Sequence, residues 1–331
     1  MTGTMVSEKH TTQNTLRKVV GVTGATGFIG GAICIELKKR GYTVIGLDAV
    51  KRKHLMPYMD TFFHTDFEAI PSFHGATWLN CDVVIHCAGT SLVGPSVNNP
   101  AFYYDNNVAK TIRLLTWCAE NNKHFMFSSS ASVYKTQNRL ITEEDPIQPL
   151  SPYAKSKHII EQVVDDYVEA YGLNATIFRY FNACGALDEL HGQSPGAEHI
   201  FPRLFECDEM FDLNGMDFET RDGTCVRDYI HIEDIAQAHV KAMENNCYGI
   251  YNLGSSIGYS NLEIIRAVNK PYRDIGRRLG DTDCLVADNT LAKMILGWSP
   301  TTTLPNIVDS LKRWYNSENY KRLVNAATSN I

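Results

Sequence analysis

The eight residues TGATGFIG, positions 23–30, constrain this chain more than any other stretch. They follow the apolar run KVVGVTG, from Lys18, and open directly into FIGGAICIELKKR. A strand that passes through Gly24, Gly27 and Gly30 into a helix has the form of a dinucleotide-binding turn. The first glycine permits the tight turn, the second lets the backbone approach a pyrophosphate, and the third lets helix and strand pack closely. The N–H groups and dipole at the helix start then face the phosphates. Downstream, Ile29, Ile33 and Leu37 recur at i, i+4 and i+8 and predict one apolar helix face. Lys38, Lys39 and Arg40 before Gly41 close that helix with a cationic turn and a C-terminal glycine.

YTVIGLD (from Tyr42), CDVVIHCAG (from Cys81), HFMFSSS (from His124) and NATIFRYFN (from Asn174) repeat the apolar strand pattern, with helical stretches between. This alternation predicts an α/β fold with a Rossmann-type, doubly wound parallel sheet. The nucleotide-binding domain is expected over residues 18–183, with returning segments near 228–254. Residues 184–227 are richer in Gly, Asp, Glu and Pro, and 184–331 are expected to form mainly a smaller, interleaved C-terminal substrate lobe. YSNLEIIRAV, ADNTLAKMIL and LPNIVDSLKRWY read as helices behind Ser, Asp or Pro start signals. Residues 1–17 are polar, lack an apolar signal-peptide core and read as a loose tail.

A chain of 331 residues can bury a core without staples. Its net charge of −6 argues against a general nucleic-acid or anionic-membrane binder. No apolar run approaches the ~20 residues of a membrane span. The nine cysteines include no CxxC pair, and neither they nor the histidines show metal-ligand spacing, so no metal is expected. Buried thiols in a reducing compartment, hence a cytoplasmic enzyme, are the simplest reading.

Asp48 ends the second strand, where an acid accepts from the adenosine ribose 2′-OH and repels a 2′-phosphate, which favours NAD over NADP. The basic run Lys51, Arg52, Lys53 lies beyond the deciding position. Tyr153 and Lys157, in YAKSK, are i and i+4 on one helix face. A free tyrosine is only ~0.1% phenolate at neutral pH, and a neighbouring ammonium together with a positive nicotinamide ring lowers its pKa. Elsewhere YxxxK is often a mere helix face. Here SSSASVY lies upstream at the C-terminal end of a strand, the edge at which such sheets bind ligands, and it offers Ser130 as a hydroxyl between substrate and Tyr153.

The GxxGxxG spacing with this Ser, Tyr and Lys resembles the extended short-chain dehydrogenase/reductase family. The blocks VVIHCAGTSLVGPSV, YYDNNVAKT, FSSSASVY, SPYAKSK, RYFNACGA, RDGTCVRDYIHIEDIA and YNLGS further resemble its UDP-glucose (UDP-galactose) 4-epimerases, from about residue 18 to 316. The resemblance implies catalytic roles for Tyr153, Lys157 and Ser130. It implies a cofactor site of Gly24, Gly27, Phe28, Ile29, Gly30, Asp48, Asp66, Phe67, Ala88, Gly89, Asn107, Ser128 and Tyr180, besides Tyr153 and Lys157. Substrate would meet Ser130, Tyr153, Asn182, His199, Arg227, Arg278 and Leu285, the two arginines holding a nucleotide diphosphate. The implied reaction is 4-epimerisation of a nucleotide sugar, most simply UDP-glucose/UDP-galactose, through a transient 4-keto sugar and a returned hydride. The implied assembly is a homodimer formed through helices near 107–119 and 153–171.

Three positions depart from the family pattern. Ser91 replaces a lysine, His199 an asparagine, and Leu285 stands where a large tyrosine accompanies plain hexoses and a small residue N-acetyl sugars. UDP-N-acetylhexosamine and UDP-uronate therefore remain alternative substrates. A 4,6-dehydratase would need an Asp–Glu pair after Ser130, where this chain has Ala131 and Ser132. A non-catalytic NAD-binding protein of this fold typically lacks Tyr or Lys of the pair, and both are present.

Overall fold

The computed structural model describes residues 18–72, 76–278 and 282–328. The tail expected at residues 1–17 lies outside them.

The strands in chain order are β1 (Val19–Thr23), β2 (Thr43–Asp48), β3 (Thr61–His64), β4 (Val83–His86), β5 (His124–Ser130), β6 (Ala175–Tyr180), β7 (Asn182–Cys184), β8 (Phe211–Leu213), β9 (Val226–His231), β10 (Gly249–Leu253), β11 (Gly258–Ser260), β12 (Tyr272–Asp274) and β13 (Cys284–Leu285). The helices are α1 (Phe28–Lys39), α2 (Ala76–Leu79), α3 (Val93–Asn98), α4 (Pro100–Tyr104), α5 (Lys110–Glu120), α6 (Pro152–Tyr171), α7 (Ile200–Glu206), α8 (Ile232–Glu244), α9 (Asn261–Val268), α10 (Thr290–Leu296), α11 (Leu304–Asn316) and α12 (Glu318–Thr328).

Seven parallel strands form the central sheet in the order β10-β6-β5-β4-β1-β2-β3. Alternate residues of its strands feed two cores, as the pleat requires. Val20, Val22, Val44, Val83 and Met126 face α1 and α8, whereas Ile45, Leu47, Val84, Phe125 and Phe127 face α5 and α6. Such double-sided burial explains why the strands read as continuous apolar runs.

Helix α1 differs from the one-sided helix that its periodicity predicts. Ala32, Ile33, Cys34, Ile35 and Leu37 are all inaccessible, because α8 covers the face that the sheet leaves free.

Of the segment near 228–254, α8 packs on α1 and β10 extends the central sheet beside β6. β9 does not join that sheet; it pairs with β7, β11 and β13. Around it α7, β8, α9, α11 and α12 enclose a separate core that includes Phe201, Ile264, Leu311 and Trp314. The two bodies interlock: His191 Nε2 donates to the Phe28 carbonyl at the start of α1, at 2.8 Å.

Candidate functional site

The glycine turn sits at the C-terminal edge of the sheet. Gly24 has φ +66°, and a Cβ there would lie 2.7 Å from Ala88 N. At Gly30 a Cβ would meet Gly24 O at 2.1 Å, so helix and turn touch backbone to backbone. At Gly27 the one neighbour in reach is Gly24 O at 3.1 Å, and otherwise the position opens into a cleft. Gly27 is also the N-cap of α1 and brings no capping side chain, which leaves the first amides, from Phe28 and Ile29 onward, to a ligand.

The cleft, about 310 Å³, is lined by the turn, by Asp48 and Arg52, by Asp66 and Phe67, and by Cys87, Ala88 and Gly89. Asp48 Oδ2 accepts from Thr26 N and Oδ1 from Val50 N, both at 2.9 Å, so the carboxylate is held in the cleft wall at the end of β2. Asp66 is paired with Lys110 of α5 at 2.8 Å. Burial raises the Asp66 pKa, but hydrogen bonds from Glu68 N and Lys110 outweigh it and leave it lowered. These features fit a dinucleotide: backbone amides face its phosphates, an anionic acceptor its ribose, and Phe67 its flat base.

Tyr153 and Lys157 are presented by α6. Ser151 caps this helix, its hydroxyl accepting from Ala154 N at 3.1 Å, and Pro152 occupies the first turn. Both functional side chains are buried, and the Ser130 hydroxyl is a hydrogen-bond partner of the Tyr153 phenol. Ser130 Oγ also accepts from Ser132 N and Oγ, at 3.2 and 3.0 Å, where β5 ends in a 3₁₀ turn. Lys157 Nζ donates to Ser128 O at 2.8 Å and stands 4.8 Å from the Phe127 ring centroid. Burial lowers its pKa to about 8, opposed by Cys87 and Glu161. The Tyr153 pKa is raised in this state, by burial first, with Ser130 lowering it and Tyr103 raising it. The lowering expected from the sequence is therefore not present in the protein alone, where the ammonium is directed at Ser128.

Two expected cofactor residues act from behind the cleft. Asn107 lies in a π-turn between α4 and α5; its carboxamide accepts from Thr90 N at 2.8 Å and donates to Thr90 O and Ser156 Oγ, so it holds the loop of Gly89 against α6. Tyr180 lies under the floor. His239 Nδ1 donates to Ile235 O at 2.9 Å, so its Nε2 accepts from the Tyr180 hydroxyl at 2.8 Å, and Tyr180 in turn accepts from Ser128 Oγ at 2.9 Å.

On the far side, β7, β9 and β13 bring Asn182, Arg227 and Leu285 together. Leu285 pairs with Arg227 in register, and Asn182 Nδ2 donates to Asp228 O at 3.2 Å. Leu285 is half-buried against the cluster of Ala131, Val133 and Phe181 that follows Ser130. Arg227 Nη1 donates to Val226 O and Thr282 O. His199, the N-cap of α7, is exposed; its pKa is lowered, desolvation of the ring leading, with Glu198 raising it and Arg278 lowering it, which puts Arg278 near the same rim. Ser91 is exposed before α3.

Several site residues escaped the sequence reading. Arg52 lines the cleft with a buried Nη1 that has no hydrogen-bond partner; its basic run was the available signal. Cys87 is a half-buried wall of the cleft and not a bland core thiol. Buried Asp228 accepts from Ser255 N, Ser256 N and Ala287 N, tying the exits of β10 and β13 to β9. Among the described residues no group of three or more side chains suits a metal ion, and no helix is long and apolar enough to cross a membrane.

The family model described as the NAD dependent epimerase/dehydratase family matches residues 20–254. The chain belongs to the NAD-dependent epimerase/dehydratase family. Within it, UDP-glucose 4-epimerase of Lactobacillus helveticus is 38% identical over 321 residues, covering 89% of this chain and 96% of that protein. The structure of UDP-glucose 4-epimerase from Stenotrophomonas maltophilia, with bound NAD and formylated UDP-arabinopyranose, superposes with TM-score 0.86 at 30% identity, covering 94% of this chain and all of that one. That from Bifidobacterium longum, with NAD+ and UDP, gives TM-score 0.81 at 34% identity over 90% and 98% of the chains. Membership in the epimerase/dehydratase family accounts for the joint presence of the glycine turn, the Tyr–Lys pair and the second lobe.

Proposed function

We propose that this chain is a 4-epimerase of a UDP-linked hexose, UDP-glucose and UDP-galactose in the first instance, with NAD as resident cofactor. The observation that carries the reading is the meeting of Tyr153 and Ser130 beside the glycine-turn cleft, opposite the strand pair of Arg227 and Leu285. Bound NAD would supply the hydride acceptor, and afterwards the hydride donor, for the sugar C4. Tyr153 accepts the proton of the sugar 4-OH, directly or across Ser130, and gives it back once the 4-keto ring has turned over. Lys157 holds the nicotinamide ribose and places a positive charge near the phenol. Arg227, Arg278 and Asn182 hold the nucleotide diphosphate while the sugar rotates. The reaction consumes no net oxidant, and the nonpolar Ala131 beside Ser130 supplies no acid or base for eliminating water.

Leu285 leaves more room than an aromatic residue in that wall, which favours UDP-N-acetylhexosamine or UDP-uronate as the second reading. The nine free cysteines fit a reducing cytoplasm. The homodimer would pair α5 and α6 with their symmetry mates; Val168 and Tyr171 of α6 are exposed apolar residues on that side.

The test incubates purified protein separately with UDP-glucose, UDP-galactose, UDP-N-acetylglucosamine and UDP-glucuronate and resolves the products by chromatography. A C4 epimer without stoichiometric NADH supports the assignment and names the sugar. No epimer from any of the four removes the proposed activity.

A further inference from the structure

The face of α6 that bears Tyr153 and Lys157 continues to Glu161, the three residues standing at i, i+4 and i+8. Three consecutive serines at the end of β5 engage that face. The Ser130 hydroxyl meets Tyr153, the Ser128 carbonyl accepts from Lys157 Nζ at 2.8 Å, and Ser129 Oγ donates to Glu161 Oε1 at 2.5 Å. Arg179, opposite Ser129 in the β5–β6 register, clamps the same carboxylate with two bonds, Nε to Oε1 at 3.0 Å and Nη2 to Oε2 at 2.8 Å. Both side chains of this ion pair are buried, 5% and 2% exposed. Arg179 Nη1 reaches on to Tyr134 Oη and Glu143 O, and Tyr134 donates to Asn252 on β10. The carboxylate thus ties α6 to β5 and β6, and through Arg179 and Tyr134 the network reaches β10. The other titratable groups around it are His158 at 3.5 Å, Asp165 one turn on, Lys157 one turn back, and Tyr134.

A buried ion pair is a poor device for stability alone, since desolvation consumes most of the Coulomb gain and apolar replacements often do as well. Its bidentate geometry does hold two elements at one distance and one register. We propose that Glu161, locked by Ser129 and Arg179, is a positioning residue for the catalytic pair: it sets the register of α6 on β5 and supplies the carboxylate that balances the Lys157 ammonium. This rests on Tyr153 and Lys157 being the reacting pair. Removing the negative charge takes from Lys157 a carboxylate one helical turn away and leaves Arg179 on β6 as an uncompensated buried cation, so Lys157 gives up its proton at lower pH.

The experiment compares wild-type holoenzyme with Glu161→Gln and Ser129→Ala. It measures kcat and KM for UDP-glucose, and separately the NAD retained after filtration, from about pH 6 to about 10. For Glu161→Gln the expected result is a kcat about tenfold lower with KM little changed, and an alkaline limb moved about one pH unit downward. The pH at which NAD is lost moves the same way. Ser129→Ala leaves the ion pair in place, so it is expected to lower kcat about threefold without moving the limb. Wild-type kcat and pH profile in Glu161→Gln, with only the melting temperature reduced, would overturn the proposal. So would wild-type kcat in Ser129→Ala, which decides the matter alone if Glu161→Gln does not fold. If the wild type epimerises nothing, the proposed function fails, whereas the NAD-retention curves still read Glu161.

Discussion

Tyr153 illustrates how a single side chain depends on its surroundings. Burial alone would keep the phenol protonated, and only the Ser130 hydrogen bond acts the other way within the protein. The remaining driving force must come from positive charge brought near when cofactor binds. Tyr153→Phe should therefore lower turnover by about 10³-fold or more while leaving NAD bound, because the ring still packs but no proton acceptor remains. Activity and extracted cofactor measured on one preparation check this, and near-normal turnover would refute the role. Lys157, with its pKa lowered to about 8 by burial, carries a pH signature. Its ammonium is present below that value and is lost as pH rises through it, so turnover should fall on the alkaline side. Stability should run the other way. An unfolded lysine, with pKa of about 10.4, binds more protons than the folded one between these two values, so folding becomes more favourable with rising pH across that window. A pH–rate profile beside a pH–melting profile separates the two effects; turnover that stays level to about pH 10 contradicts the assignment.

At the scale of elements, α6 owes its start to Ser151 and its stop to Gly172, which takes the left-handed cap conformation at φ +66°. Tyr153 lies only two residues inside that start. Ser151→Ala should cost about 1 kcal/mol of stability and reduce kcat more than NAD binding, because the frayed turn is the one that carries the phenol. Thermal melting and steady-state kinetics report the two consequences separately. The glycine turn, the Tyr–Lys pair and Ser130 were legible because each is a short pattern bound to its own element: a turn between strand and helix, an i, i+4 face, a strand end. Asp228 and the Glu161–Arg179 pair were not. Their meaning depends on which strands become neighbours, as when β6 sets Arg179 beside Ser129 or β13 sets Leu285 beside Arg227. Local periodicity carries no such information. Helix α1 shows the same limit, since its apolar stripe was visible but its second buried face depends on α8, some two hundred residues later in the chain.

At the scale of the whole molecule, the central sheet carries the glycine turn and leads into the Tyr–Lys helix, while the sheet built on β9 carries Asn182, Arg227 and Leu285. Asp228 couples them by holding the exits of β10 and β13 to one strand. That arrangement suits a substrate anchored at its nucleotide and free to turn at its sugar. Light scattering on the purified protein should return twice the mass of the chain if α5 and α6 pair as proposed, and a single monomer mass would remove that part of the account. The most direct test of the central claim uses UDP-glucose carrying deuterium at C4. Hydrogen that leaves C4 with its electron pair and returns to the same carbon never exchanges with water, so the account predicts UDP-galactose that retains the deuterium at C4, with no net NADH. Deuterium washed out into solvent, or no epimer formed, would contradict it.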